Sequence, residues 1–154
     1  MKTPAKRIYN SASVPQEDCV FCKIVSGKLP SYKVYEDDRH IAFLDINPFS
    51  VGHTLVTPKR HGETLWDMDD HEIAEIFKVA SKVSMGVVAA MNADGFRLMQ
   101  NNGEAANQAV AHIHVHVIPN KMEDKGKFMN RLKLSGDEMA KVADSIKSEI
   151  AKIE

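Results

Sequence analysis

No stretch of this 154-residue chain approaches the ~18 consecutive apolar residues that a membrane-spanning helix needs. The segment Met1 to Glu17 carries a few positive charges with no apolar run behind them, so a secretory signal is not expected and the default location is the cytoplasm. An excess of one charge is also missing: 20 Lys+Arg stand against 21 Asp+Glu, a formal net charge of -1. A protein that binds nucleic acid by neutralising phosphates would show a basic surplus, so that class is set aside. Cysteine is scarce, at two residues, and in a cytoplasmic chain such a pair reads as thiols or metal ligands before a disulfide. What remains is ordinary for a globular domain, with 44% hydrophobic and 27% charged residues. A chain of this length can bury enough surface to fold without staples. The unusual feature is histidine: there are seven, and five of them fall in three short segments.

Residues 1–18 are polar, hold Pro4 and Pro15 and lack apolar periodicity, which predicts a flexible N-terminal tail. From Cys19 to Glu154 the pattern is dense, without linker or repeat, which predicts a single domain. Val20 to Ser26 reads as one or two helical turns stopped at Gly27. Lys33–Glu36, Arg39–Ile46, His53–Thr57, Phe96–Gln100 and His112–Ile118 read as strands. Asp69 to Met91 is the clearest helix. Asp69 and Glu72 have capping-box spacing, and Ile73, Ile76, Phe77, Ala80, Val83, Val87, Val88 and Met91 form one stripe. Ser135 and Glu138 open a terminal helix with Met139, Val142, Ala143, Ile146 and Ile150 on its inner face. Early strands with short connections and a single long intervening helix predict an α+β fold around a mainly antiparallel five-stranded sheet.

The chemistry should lie in His112-Ile113-His114-Val115-His116-Val117-Ile118. Alternate residues of a strand share a face, so three imidazoles line one side over roughly 13 Å while Ile113, Val115 and Val117 face the core. A solvated polar face would have no need of histidine over Thr, Lys or Glu. Two chemistries fit the row. Two imidazoles could bind a transition metal with a third ligand from elsewhere. Alternatively, one imidazole attacks phosphorus while its neighbours donate hydrogen bonds to the oxyanion. The flanks favour the second, because Asn101-Asn102-Gly103 and Gln108 supply uncharged donors and acceptors of the kind that orient phosphate oxygens. Asp45, before a proline turn, could accept from a ribose diol or simply cap the turn. Phe21, Phe43 and Ile46 could wall a base or belong to the core.

The alternating histidines resemble the signature of the histidine-triad family. Further segments follow that family's order: Cys19-Val-Phe-Cys22, Tyr35-Glu-Asp-Asp, Ala42-Phe-Leu-Asp45-Ile-Asn-Pro48, Gly52-His53-Thr-Leu-Val, Pro58-Lys-Arg-His61 and Asn101-Asn-Gly103. The likeness runs from Cys19 to Pro119 at least and is closest to the bacterial branch of these nucleotide-binding hydrolases. It implies a homodimer joined sheet to sheet, acting on a purine nucleotide. It also implies cleavage of purine nucleoside phosphoramidates, aminoacyl adenylates or dinucleoside polyphosphates. In that reading His114 is the nucleophile, His116 holds phosphoryl oxygens and His53 helps set the protonation of the row. Asn101 and Gln108 contact the phosphate and leaving-group region, Asp45 the ribose, and Phe21, Phe43 and Ile46 the base. His112 is either a substrate contact or a metal ligand.

An imidazole with a pKa near ~6.5 is largely neutral at cytosolic pH, so activity is expected to fall in acid. Cys19-x-x-Cys22 alone is compatible with two buried thiols, but with histidines available it becomes a candidate zinc site. The resemblance supplies the set Cys19, Cys22, His61 and His112, a closed and therefore structural zinc. The family usually places Gly-Gln-Ser or Gly-Gln-Thr before the triad, whereas this chain has Asn107-Gln108-Ala109 and so lacks one hydroxyl. His40 and His71 read as solvent-facing. A nucleotide-binding interaction protein with incidental hydrolysis and a cupin-like metal enzyme are the competing readings; two long helices speak against the second.

Overall fold

The computed structural model describes residues 16–154, so most of the expected tail, residues 1–15, lies outside the described residues. Five strands form one antiparallel sheet: β1 Lys33–Glu36, β2 His40–Leu44, β3 Thr54–Pro58, β4 Gly95–Met99 and β5 Val115–Asn120. Their order across the sheet is β1-β2-β3-β5-β4. The helices are α1 Val20–Val25, α2 Asp70–Met91 and α3 Gly136–Ala151. The α+β architecture expected from the sequence is the one observed.

Both faces of the sheet are covered, which is why β2 and β3 are buried at every position. On one face Ala42, Leu44, Val56, Ile113, Val115 and Val117 pack against Ile76, Ala80, Val83 and Val87 of α2 and Ala143, Ile146 and Ile150 of α3. On the other, Ile41, Phe43 and Leu55 pack against Cys19, Phe21 and Cys22. This second, smaller cluster seats α1 beside the histidine row.

The capping box of Asp69 and Glu72 forms, and Asn92 in the left-handed region ends α2. Phe77 leaves the expected stripe and is 37% exposed. α2 and α3 approach closely at Gly86, where a Cβ would overlap the Ile150 side chain. The Sγ of Cys19 caps α1 by accepting from the Cys22 amide at 3.4 Å.

Two expectations are corrected. β5 begins at Val115, not His112. Beyond the Val56–Val115 pair the chain leaves the ladder: Ile113 donates to the Gly62 carbonyl (2.8 Å) and accepts from Thr57 Oγ1 (2.7 Å). The inward alternation of Ile113, Val115 and Val117 survives that change. His40 is buried at 4% exposure, not solvent-facing, because Asp37 folds back to hold its ring Nδ1 at 3.0 Å and its amide at 2.7 Å. His71 is exposed, as expected.

Candidate active site

Sheet register sets Phe43, Leu55 and His116 in line across β2, β3 and β5. α1 covers this face and brings Phe21 edge-on to His114, with centroids 5.0 Å apart at 84°. A cleft of about 1370 Å³ opens here, lined by His114, His116, Asp45, Asn101 and Gln108. Phe21, Phe43 and Ile46 also line it. The two phenylalanines are core residues with one edge in the cleft, whereas Ile46 is 70% exposed. The three row histidines are 0, 5 and 6% exposed, so they do not form a solvated face. His53 lies fully buried behind His116, and His112 does not line the cleft.

Backbone groups fix which nitrogen of each ring carries a proton. A carbonyl oxygen only accepts, so the 2.7 Å contact of His114 Nδ1 with the His112 carbonyl makes Nδ1 the N–H. In the neutral ring, Nε2 then keeps its lone pair. The Phe49 amide donates to His53 Nδ1 at 3.0 Å, which makes His53 Nε2 the N–H. That group donates to His116 Nδ1 at 2.8 Å, so His116 carries its proton on Nε2. Two rings only 4.9 Å apart thus have opposite free nitrogens: a lone pair on His114 and an N–H on His116. Asp45, His53 and His116 are close enough to share an ion. However, His53 Nε2 carries a proton in this chain and has no lone pair to give.

The surroundings keep these rings neutral. Burial pushes His53 down to about 3, helped by the charges of Arg131 and His114. Burial, then His114 and His53, push His116 down to about 3. His114 is lowered by burial, partly offset by its bond to the His112 carbonyl and by Asp45. An imidazole that attacks must be neutral, and here its surroundings oppose the charged form.

Polar groups rim the cleft. Asp45 directly follows β2; its amide donates to the His53 carbonyl (2.9 Å) and its Oδ1 accepts from the Asn47 amide (2.8 Å). Gln108 Oε1 accepts from the Gly103 amide at 2.7 Å while its Nε2 donates to the Glu63 carbonyl. Asn102 Oδ1 accepts from the Leu65 amide at 2.7 Å. Both side chains therefore pin the 101–109 loop. Ala109 lines the cleft without a hydroxyl.

Behind the row, Cys19, Cys22, His61 and His112 turn their ligand atoms together. His112 Nδ1 lies 3.4 Å from Cys19 Sγ, 3.5 Å from Cys22 Sγ and 3.2 Å from His61 Nδ1. Cys22 Sγ is 3.3 Å from His61 Nδ1. A tetrahedral zinc has S···N edges of about 3.5 Å and N···N edges of about 3.3 Å, from bonds of about 2.3 and 2.05 Å. These four edges match that tetrahedron, and all four ligand atoms lie within 4.8 Å of one another. His112 Nε2 contacts the Pro58 carbonyl at 2.8 Å, so it is the N–H, and Nδ1 offers its lone pair to the cluster. His112 is lowered to about 4 and His61 is also lowered, both mainly by burial, which keeps them available as ligands.

The HIT domain family model matches residues 26–123, which include His53, His61 and the whole row. The chain belongs to the histidine-triad family. An uncharacterised HIT-like protein of Borreliella burgdorferi is 47% identical over 77% of this chain and 86% of its own length. The adenosine 5'-monophosphoramidase of Candida albicans is 34% identical, covering 88% of this chain and 93% of that protein. An adenylylsulfatase of Arabidopsis thaliana is 43% identical over 73% of this chain and 57% of its own length. Among solved structures, a hypothetical histidine triad nucleotide-binding protein from Sulfolobus tokodaii superimposes with a TM-score of 0.81 at 37% identity, covering 88% of this chain and 93% of that one. A Zn-bound histidine triad family protein from Mycobacterium smegmatis gives 0.79 at 36%, covering 88% and 95%.

This histidine-triad chain also has cleft residues that sequence reasoning missed. Arg131 lines the cleft from an irregular segment with no motif around it, and Asn107 lines it from a left-handed backbone position (φ 65°). An asparagine before the triad was a visible signal for the second. Nothing in the sequence pointed to the first.

Proposed function

We propose that the cleft cleaves the phosphorus–leaving-group bond of purine nucleoside 5'-phosphoramidates or related AMP conjugates through a nucleotidyl-histidine intermediate. One observation carries the reading: the His112 carbonyl holds His114 Nδ1–H, leaving the lone pair on Nε2. Nε2 attacks phosphorus, and the bond from phosphorus to the leaving group breaks as that group takes up a proton. The charge gained by the His114 ring is held against the His112 carbonyl. Water then attacks phosphorus, the bond to Nε2 breaks, and a nucleoside monophosphate leaves.

His116 Nε2–H donates to the phosphoryl oxygens, and His53 holds it in that tautomer. Asp45 accepts from the ribose, and Phe21, Phe43 and Ile46 bound the base. Asn101 borders the leaving-group end, while Gln108 shapes it by pinning the loop. His112, turned to the thiol cluster, is read as a zinc ligand and not a substrate contact. Zinc held by Cys19, Cys22, His61 and His112 would tie α1 to the row. With four protein ligands it has no open position, so its role is structural.

The reading extends to a cytoplasmic homodimer joined through β4, whose edge of the sheet exposes Phe96 and Leu98. No helix among the described residues is long and apolar enough to cross a membrane. The size of the cleft favours one second reading, hydrolysis of dinucleoside polyphosphates, whose leaving group is larger. Single-turnover assays with labelled adenosine phosphoramidate and diadenosine polyphosphate test both. Release of AMP from neither substrate contradicts the proposal.

A further inference from the structure

The segment 126–134 runs between a short turn at Met122–Asp124 and α3, outside the residues that the family model matches. It crosses the cleft rim at the 45–49 turn. The Leu132 amide donates to the Pro48 carbonyl at 2.7 Å, which fixes the backbone there. Arg131 then reaches back with Nη1 to the Asn47 carbonyl (2.6 Å) and to Asp45 Oδ2 (3.3 Å). Its guanidinium carbon lies 3.9 Å over the Phe49 ring, and the Phe49 ring stacks on His53 with centroids 5.7 Å apart at 10°. One side chain from outside the family match therefore grips the carboxylate, the turn and the ring that supports the row.

From this geometry we infer that Arg131 is a positioning residue that sets the Asp45 carboxylate to receive the two hydroxyls of a ribose. The inference rests on the nucleotide reading above and adds to it the element that aims the sugar site. Asp45 Oδ1 takes the Asn47 amide and Oδ2 takes Arg131. Each oxygen then keeps a second lone pair, and the two together suit a vicinal diol. Arg131 also restrains a competing bond. Asp45 Oδ2 stands 3.6 Å from His53 Nε2, outside hydrogen-bond range, while His116 Nδ1 stands at 2.8 Å. Freed of Arg131, the carboxylate can swing to His53 and turn away from the cleft.

The Arg131 side chain is 47% exposed, so the ion pair as such contributes little to stability. What the guanidinium adds is a planar group that lies over the Phe49 ring while its Nη1 reaches carbonyl and carboxylate together, a combination that a lysine ammonium does not reproduce. The segment's backbone bond through Leu132 does not depend on it, so substitution should leave the fold intact.

Calorimetric dissociation constants for AMP and 2',3'-dideoxy-AMP test this on the full chain, with wild type, Arg131→Met and Arg131→Lys. Arg131→Met should weaken AMP about tenfold and dideoxy-AMP less than about twofold, the loss of one charge-assisted positioning contact. Arg131→Lys should fall between them, with thermal midpoints near wild type for both variants. Equal weakening of both nucleotides, or no weakening, overturns the assignment. A wild type that binds AMP and dideoxy-AMP equally also overturns it, because Asp45 would then not read the sugar. A wild type that binds neither instead removes the nucleotide reading on which it stands.

Discussion

His114 Nδ1 lies 2.7 Å from the carbonyl oxygen of His112, two residues back along the chain. The chain leaves the sheet ladder at this point, so the carbonyl is available to the ring. That single contact decides which nitrogen of the proposed nucleophile is free. Replacing His114 by Asn or Ala should abolish turnover, while AMP binding, measured by calorimetry, stays within about threefold of wild type because the rest of the cleft lining is unchanged. Wild-type turnover in either variant would refute the role.

His53 acts one step removed, by donating Nε2–H to His116 Nδ1 at 2.8 Å. His53→Ala leaves His116 free to carry its proton on the wrong nitrogen. We expect kcat to drop about 10- to 100-fold with little change in KM, a smaller loss than removal of a direct oxyanion donor. Steady-state kinetics check this; an effect confined to KM would contradict the tautomer chain.

Burial shapes the pH dependence. His114 is shifted below its ordinary value, and His53 and His116 fall to about 3. Neutral imidazole therefore persists in the folded protein at pH values where free histidine is charged. The acid limb of kcat/KM should inflect below pH ~6.5 and not at it. Stability follows the same sign. Between about 3 and ~6.5 the unfolded chain binds more protons at His53 and His116 than the folded one, so stability is full above that window and lost as pH falls through it. Thermal midpoints measured from pH 7 to 4 should decline steadily. A flat profile would contradict the burial of neutral rings.

The thiol–imidazole cluster predicts about one zinc per chain in protein purified without chelator. Cys22→Ser should lose that metal and lower the thermal midpoint by at least about 5 °C, since even a few kcal/mol moves a domain of this size that far. Elemental analysis beside calorimetry reads both. Stoichiometric zinc in the variant, or none in the wild type, would contradict the site.

Gly86 tests the helix packing. Alanine normally favours a helix over glycine by up to about 1 kcal/mol. Here its Cβ would overlap Ile150, so Gly86→Ala should destabilise by about 1–3 kcal/mol in urea unfolding. A stabilised variant would show that α2 and α3 can separate at no cost.

Local signals were legible in the sequence where one element is self-sufficient. α2 carried its own capping box and an apolar stripe at helical period along its 22 residues, and the histidines alternated with residues that do reach the core. The start of β5 was hidden because residues 112–114 make no ladder pairs: side chains carry their bonds to Thr57 and Pro58 of β3, and the Ile113 amide goes to the Gly62 carbonyl. Burial of His40 depended on Asp37 folding back over it. Arg131 could not be found from the sequence: its partner Asp45 is 86 residues away, and the segment between β5 and α3 shows neither period nor motif.

Rapid-quench capture of the intermediate shows directly whether His114 attacks phosphorus. The enzyme is mixed with adenosine phosphoramidate labelled at phosphorus, quenched in base where phosphohistidine bonds survive, digested and mapped by mass spectrometry. Adenylyl label is expected on His114 alone, appearing and decaying faster than turnover. Label on His112 or His116, or steady turnover with no labelled histidine at any time, would contradict it.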